Sequence, residues 1–301
     1  MPPAVAPSLR ARLAGFVALT KPRIVELLLV TTLPTMVVAA RGWPPAGLVL
    51  ATLLGGSLAA GGANAINMYV DRDIDAVMHR TRNRPLVTGV VQPAAALRFA
   101  VALEVVAFAE LWALVNLLSA ALAVSATLFY VFVYSLWLKR STRQNIVIGG
   151  AAGAVPVLVG WAAVRNGLGL APLVLFAIIF VWTPPHFWAL AVKYREDYAA
   201  ADVPMLPAVA SLAVTARQIV LYTVALWACS LVFAPVAGLG DLYLAAAVVL
   251  GAIFLFYALQ LKREQTVQRA MRLFGYSITY ITLLFSAMAA DQLLMHHWSW
   301  S

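Results

Sequence analysis

Residues 46–85 read AGLVLATLLGGSLAAGGANAINMYVDRDIDAVMHRTRNRP, and that stretch sets the class of the molecule. No charged residue occurs between Ala46 and Val70, a run long enough to cross a hydrocarbon core of roughly 30 Å as a helix. The run then gives way to Asp71, Asp73 and Asp75, followed by Arg80, Arg82 and Arg84. It reads as a membrane span with charged chemistry at its mouth. The whole chain agrees: of 301 residues 63% are hydrophobic and 11% charged, where a soluble domain carries about 25% charge. Too little polar side chain remains to coat a water-soluble globule, and disorder is excluded on the same ground. Cys229 is the lone cysteine, which rules out a disulfide framework or a multi-thiolate metal site, and four histidines argue against a polyhistidine centre. The net charge of +9 bears on membrane orientation, and no nucleic-acid partner is expected.

Working outward, apolar runs predict nine spans, at about 22–40, 46–70, 94–113, 115–137, 146–164, 171–192, 217–236, 241–261 and 274–295. The third and fourth merge into one apolar stretch, so the turn near Asn116 is the weakest division and eight spans are the alternative. Charge decides between them. With nine spans, every lysine and arginine except Arg41 and Arg165 falls on one side of the membrane. Eight spans would scatter them over both faces. By the positive-inside rule the N-terminus and the long loops are cytoplasmic. The expectation is an all-α polytopic membrane protein, about nine helices bundled around a central cavity. It is read as one domain over 1–301, with 1–20 a short cytoplasmic lead-in. A signal peptide ending at Ala39-Ala40 is set aside, because a long basic region precedes the first span and eight more spans follow. A bacterial cell (inner) membrane is the expected location.

Acids are costly inside a bilayer, so their positions map function. Asp71, Asp73 and Asp75 follow the second span; Glu196, Asp197 and Asp202 follow the sixth, on the same basic side. Asn67, Asp71 and Asp75 stand at i, i+4 and i+8, one helical stripe about 12 Å long, with Asp73 pointing elsewhere. Oxygen ligands so spaced suit Mg²⁺, which takes one or two carboxylates, keeps waters and adds substrate phosphate oxygens. The arginines at 80, 82 and 84 offer guanidiniums that grip phosphate bidentately, which completes a diphosphate site. No glycine-rich P-loop is present, so a nucleoside triphosphate is not implied. Lys193 and Asp197, four apart on the extension of span six, fit the second half of the same site. The bland alternative is two solvated helix ends, with acids paired to arginines and a surface pair worth roughly a few tenths of a kcal/mol. Spacing alone leaves both open.

The stretch NMYVDRDIDAVMHRTRNRP (67–85) closely resembles the first aspartate-rich motif, NxxxDxxxD, of the UbiA-type intramembrane prenyltransferases. Supporting stretches are LTKPRIVELLLVTT (19–32), YSLWLKRSTRQNIVIGGAAGAVPVLVGWAA (134–163) and TPPHFWALAVKYREDYAAADVPMLP (183–207). The last two resemble the branch of that family that farnesylates haem. The resemblance implies a nine-span bundle around a lipid-accessible cavity, capped on the cytoplasmic side, where Mg²⁺ holds a prenyl diphosphate. Carried over position by position, Asn67, Asp71 and Asp75 match the first motif and Asp197 lies in the second, as catalytic and metal residues. Arg80, Arg84, Lys139 and Lys193 fall at or near the family's basic diphosphate contacts. One departure stands out: the second motif is usually DxxxD, yet here Ala201 follows Asp197 and Asp202 comes one place late, so Asp202 is left unassigned. The implied substrates are farnesyl diphosphate and haem B, with haem O the product. A haem A synthase or oxidase-assembly proteins are the implied partners.

The chemistry follows from these parts. Ionising an allylic diphosphate makes a carbocation and a leaving group whose growing charge Mg²⁺ and guanidiniums stabilise, while an apolar cavity keeps water from the cation. His186 is the one histidine inside a span, following Thr183-Pro184-Pro185, and prolines there free helix carbonyls. It reads as a haem-iron ligand, a base, or a residue bonded to one of those carbonyls. His79 reads as a solvated loop residue, and His296 and His297 as an inert tail. Gly149 with Gly153, and Gly56 with Ala60, have the spacing of close helix packing. Glu104 and Glu110 lie within span three without an evident partner. The alternatives are a quinone- or chlorophyll-type prenyltransferase of the same family and, in another class, an ion-coupled transporter. Transporters set their coupling groups near the midplane, whereas these clusters lie at the membrane edge.

Overall fold

The computed structural model describes residues 8–298, apart from the side chains of residues 23, 24, 26–29 and 296–298. The first seven positions of the expected lead-in, and the side chains of His296 and His297, therefore lie outside the described residues. No strand occurs among the described residues.

The chain opens with α1 (Leu9–Leu19), started by Ser8, whose hydroxyl accepts the Ala11 N–H. Then come α2 (Pro22–Ala40), α3 (Ala46–Val70), the short α4 (Arg72–Val77), α5 (Pro93–Leu114) and α6 (Leu117–Ser141). After them follow α7 (Asn145–Arg165), α8 (Leu170–Lys193), the short α9 (Arg195–Ala200) and α10 (Leu206–Val209). The chain ends with α11 (Leu212–Ala237), α12 (Asp241–Glu264) and α13 (Val267–Trp298). Each of the nine expected spans holds one long helix. Among the described residues, seven are long and apolar enough to cross a membrane. Of the other two, α5 carries Arg98, Glu104 and Glu110, and α2 lies partly outside the described side chains.

Asn116 makes the division on which the nine-span reading depends. Its side chain accepts the Ser119 N–H at 2.8 Å and so caps α6, and its amide donates to the Ala162 carbonyl of α7 at 2.9 Å. An asparagine that satisfies a free helix N–H stops one helix and starts the next. Sequence neighbours pack side by side from α2 to α13, and α13 returns against α2, so the long helices close into a ring. Because they alternate in direction, the connections after α3, α6, α8 and α12 share one end of the bundle, and these carry the basic residues.

Of the glycines whose spacing suggested close packing, Gly149 is closely packed while Gly56 and Gly153 are not. At Gly56 and Gly153 no atom lies within 4 Å of where a Cβ would stand, whereas one at Gly149 would enter the Tyr134 ring. Gly55 and Gly62 of α3 make room for Glu110 and Glu104 of α5, which explains how two acids fit that interface. Glu104 accepts from Thr127 at 3.2 Å, and neither Glu110 oxygen has a partner among the described residues.

Candidate functional site

The basic end gathers the last turn of α3, α4, the loop that follows it, the end of α6 and the α8–α9 junction. Between α3 and α4 the backbone bends at Asp71, yet the ladder runs on: the Asp71 N–H donates to the Asn67 carbonyl at 2.9 Å, and the Asp75 N–H to Asp71 at 2.8 Å. Asn67, Asp71 and Asp75 therefore stay on one stripe. All three are buried, Asp71 completely. Asp73 faces outward, where both terminal nitrogens of Arg140 reach its carboxylate at 2.7 Å and hold its pKa down to about 2.

Cations from three other segments converge on the stripe. Lys139 donates to Asp71 Oδ2, to which the Asn67 amide also donates at 2.7 Å. Arg84 pairs with Asp75 at 2.5 Å, and Lys21 donates to Asn67 Oδ1 at 3.0 Å. Lys21 stands in the turn before α2 in a left-handed conformation (φ 50°), with Pro22 next. Burial, with Arg84 and Lys139 close by, drives its ammonium pKa down to about 7.

The wall facing the stripe is a stretch of π-helix, Phe129–Leu138, within α6. Its i→i+5 ladder brings Tyr130, Ser135 and Lys139 onto one face. Ser135 accepts from the Asn67 amide at 3.0 Å and donates to the Tyr130 carbonyl at 2.9 Å. Tyr130 and Tyr134 stack with ring centroids 5.4 Å apart.

Asp197 reaches the same region from the far half of the chain. Its two oxygens accept the backbone N–H groups of His79 at 3.2 Å and Arg80 at 2.9 Å. Arg80 and Lys193 both lie over the ring of Tyr194, at 5.5 and 5.4 Å. Asp197 thus meets the loop that carries Arg80 rather than the stripe itself. Among the described residues no three His, Cys, Asp or Glu side chains gather as a metal cage. Asp202 is exposed, in a left-handed turn (φ 52°). The stripe nevertheless fits a divalent cation. Asp71 Oδ1 is buried and has no hydrogen-bond partner, with the Arg140 guanidinium 4.0 Å away, and such a carboxylate oxygen beside an amide and a second carboxylate suits Mg²⁺ completed by water and phosphate.

His186 lies buried between α8 and α13, stacked on Trp182 with centroids 4.3 Å apart. Its Nδ1 is 2.7 Å from Ser277 Oγ, and that hydroxyl donates to the Phe274 carbonyl at 2.6 Å. Since the serine's one proton is engaged there, Nδ1 is the donor in the pair. The free lone pair is then on Nε2. Next to the Lys21 turn lies a mostly apolar cavity of about 340 Å³, lined by Thr20, Pro22, Ser57, Gly61 and Leu103 among others.

Sequence reasoning singled out Asn67, Asp71, Asp75, Arg84 and Lys139, which do meet, and Arg80, Lys193 and Asp197, which meet one another through Tyr194 and the backbone. It missed Lys21, Ser135 and the tyrosine pair. A lysine just before the proline that opens a span was a usable signal for the first. Nothing marked the others, because a search at helical period presupposes an α-helix.

The model of the UbiA prenyltransferase family matches residues 28–288. The chain is 54% identical to a protoheme IX farnesyltransferase of Kineococcus radiotolerans, over 95% of this chain and 90% of that protein. Among solved structures it is similar to a digeranylgeranylglyceryl phosphate synthase in membranes (TM-score 0.77, 15% identity), over 94% of this chain and 99% of that one. It is also similar to a UbiA homologue of Archaeoglobus fulgidus bound to GPP and Mg²⁺ (TM-score 0.62, 16% identity), over 91% and 99%. At such identities the two structures speak for the fold alone. Together with the family match and the Kineococcus relative, the nine-helix ring and its aspartate stripe lead to one assignment: this chain belongs to the UbiA prenyltransferase family.

Proposed function

We propose that this chain transfers the farnesyl group of farnesyl diphosphate to a vinyl group of haem B, giving haem O and diphosphate. The observation that carries the diphosphate half is the buried Asp71 Oδ1, without a hydrogen bond, in a stripe ringed by Lys21, Arg84, Lys139 and Arg140. The likeness to the Kineococcus farnesyltransferase supports haem as acceptor. Asn67, Asp71 and Asp75 would hold Mg²⁺, and Asp197 of the second motif, engaged with the His79 and Arg80 N–H groups, would hold the Arg80 loop over the site. When bound, the ion supplies Lewis-acid stabilisation of the leaving diphosphate. Lys139 and Arg84 now neutralise Asp71 and Asp75, and they turn to phosphate oxygens once substrate arrives. Arg80 and Lys193, held over Tyr194, grip the same group from the other side. The allylic C–O bond breaks with its electron pair on the diphosphate. The vinyl carbon of haem attacks the cation, water closes the charge left next to the porphyrin, and a base takes the water's proton.

Nε2 of His186 carries the lone pair either for that base or for haem iron. The 340 Å³ cavity that begins beside Lys21 offers apolar room for the isoprenoid chain. We place the basic end in the cytoplasm of a bacterium, with the bundle in the inner membrane as one domain, and a haem A synthase or an oxidase-assembly protein as the receiver of the product. The test uses purified protein in detergent with haem B, farnesyl diphosphate and Mg²⁺, the haem followed by chromatography and mass spectrometry. A heavier, more hydrophobic haem that is lost in Asp71→Asn and in EDTA is expected. Unmodified haem beside a prenylated quinone precursor would keep the family and overturn the acceptor.

A further inference from the structure

A second cavity, about 120 Å³, opens at the basic end between the α6–α7 turn, α8 and α11. Arg143, Gln144, Trp188, Gln218 and Tyr222 line it, and no carboxylate does. None of these five side chains makes a hydrogen bond or ion pair with another described residue. The decisive one is Trp188, which is 2% exposed and whose indole N–H is buried without an acceptor. Its ring is held by packing instead, edge to face with Tyr222 at 5.5 Å. Native structures rarely leave a buried N–H unpaired, and an indole can only donate. Beside it stand a permanent guanidinium cation, two amides and a phenol. A cation and several donors lining one cavity, without an acid among them, select an oxyanion.

We propose that this pocket binds the acidic oxygen group, a carboxylate or a phosphate, of an amphiphile that lies along the bundle at its basic end. The volume admits such a group and not the molecule that carries it, so the remainder must lie outside, against the membrane-facing helices. Two sources share this chemistry: a propionate of the porphyrin acceptor, which rests on the proposed activity, and the headgroup of an anionic phospholipid, which does not. The pocket's polar residues are separate from the stripe and from the Arg80–Tyr194–Lys193 stack.

The experiment compares the full-length protein with Trp188→Phe, which keeps an aromatic ring, though a smaller one, and removes the N–H, and with Arg143→Gln. Binding is titrated with haem B, haem B dimethyl ester, phosphatidylglycerol and phosphatidylcholine, with farnesyl diphosphate and Mg²⁺ as control. A loss of about tenfold in affinity for one acid-bearing probe in both variants is expected, the size of one hydrogen bond to a charged group. Its ester or zwitterionic counterpart should show no such loss, and farnesyl diphosphate should bind unchanged. Sensitivity to haem B assigns the propionate, and sensitivity to phosphatidylglycerol the lipid. Undiminished affinity of both variants for haem B and phosphatidylglycerol overturns the pocket. Wild-type protein that binds these probes through the pocket yet never prenylates haem overturns the activity and leaves the pocket standing.

Discussion

Asp197 accepts the backbone N–H of Arg80 at 2.9 Å across 117 positions of sequence, so the second acidic motif holds in place the loop that follows the first. An acid that shapes its partner motif's loop acts whether or not it also touches a metal. Arg80 is thereby presented over Tyr194, beside Lys193.

Asp197→Ala removes both acceptors and should cost about 1.5–3 kcal/mol for each charged hydrogen bond lost, less where water replaces it at this exposed site. Farnesyl diphosphate KM should rise more than kcat falls. A variant with wild-type KM would show that the loop keeps its shape unaided.

Asp71→Asn leaves the half-buried Lys139 without its counter-ion, and the loss of stability should be about 3 kcal/mol, the lower end for broken buried pairs. The double variant Asp71→Asn/Lys139→Met should regain most of that stability and none of the activity. Denaturation in detergent beside the haem assay checks both. Recovery of turnover in the double variant would remove Asp71 from the chemistry.

Asn145 is fully buried at the start of α7, and neither atom of its amide has a partner among the described residues. Asn145→Leu should raise the stability of the ligand-free protein by about 1–3 kcal/mol, the cost of leaving such groups unpaired. A destabilised variant would mean that bound water satisfies the amide.

Ser277→Ala takes away the acceptor that orients His186. If Nε2 serves haem, the absorption spectrum of bound haem B should broaden towards a mixture of ligation states, and Ser277→Thr should restore it. An unchanged spectrum in both variants would assign His186 to packing against Trp182 and Phe274.

Much of this was legible in one dimension because a bilayer imposes strong rules on a chain. A helix must be apolar for the length of the hydrocarbon core, so Ala46–Val70 announced itself, and charge asymmetry separated α5 from α6 before Asn116 was seen to cap the boundary. The stripe at 67, 71 and 75 was equally legible, since spacing within one helix sets which side chains align. Contacts between segments were not. That Lys21 meets Asn67, that Arg140 takes Asp73, and that Ser135 reaches the stripe through a π-helical stretch depend on how helices far apart in sequence come together. The glycines show the same limit: spacing pointed to Gly56, Gly149 and Gly153, but only the positions of neighbouring helices show that Gly149 is closely packed, that the other two are not, and that Gly55 and Gly62 are.

By itself, then, the sequence determined a polytopic helical membrane protein with an acidic stripe and basic residues at one end, because hydropathy, charge and helical period are local quantities. The tertiary structure decided which cation faces which acid, which carboxylate oxygen of Asp71 is left without a hydrogen bond and where Trp188 buries its N–H, because pairing and desolvation depend on groups that only the packed bundle brings together.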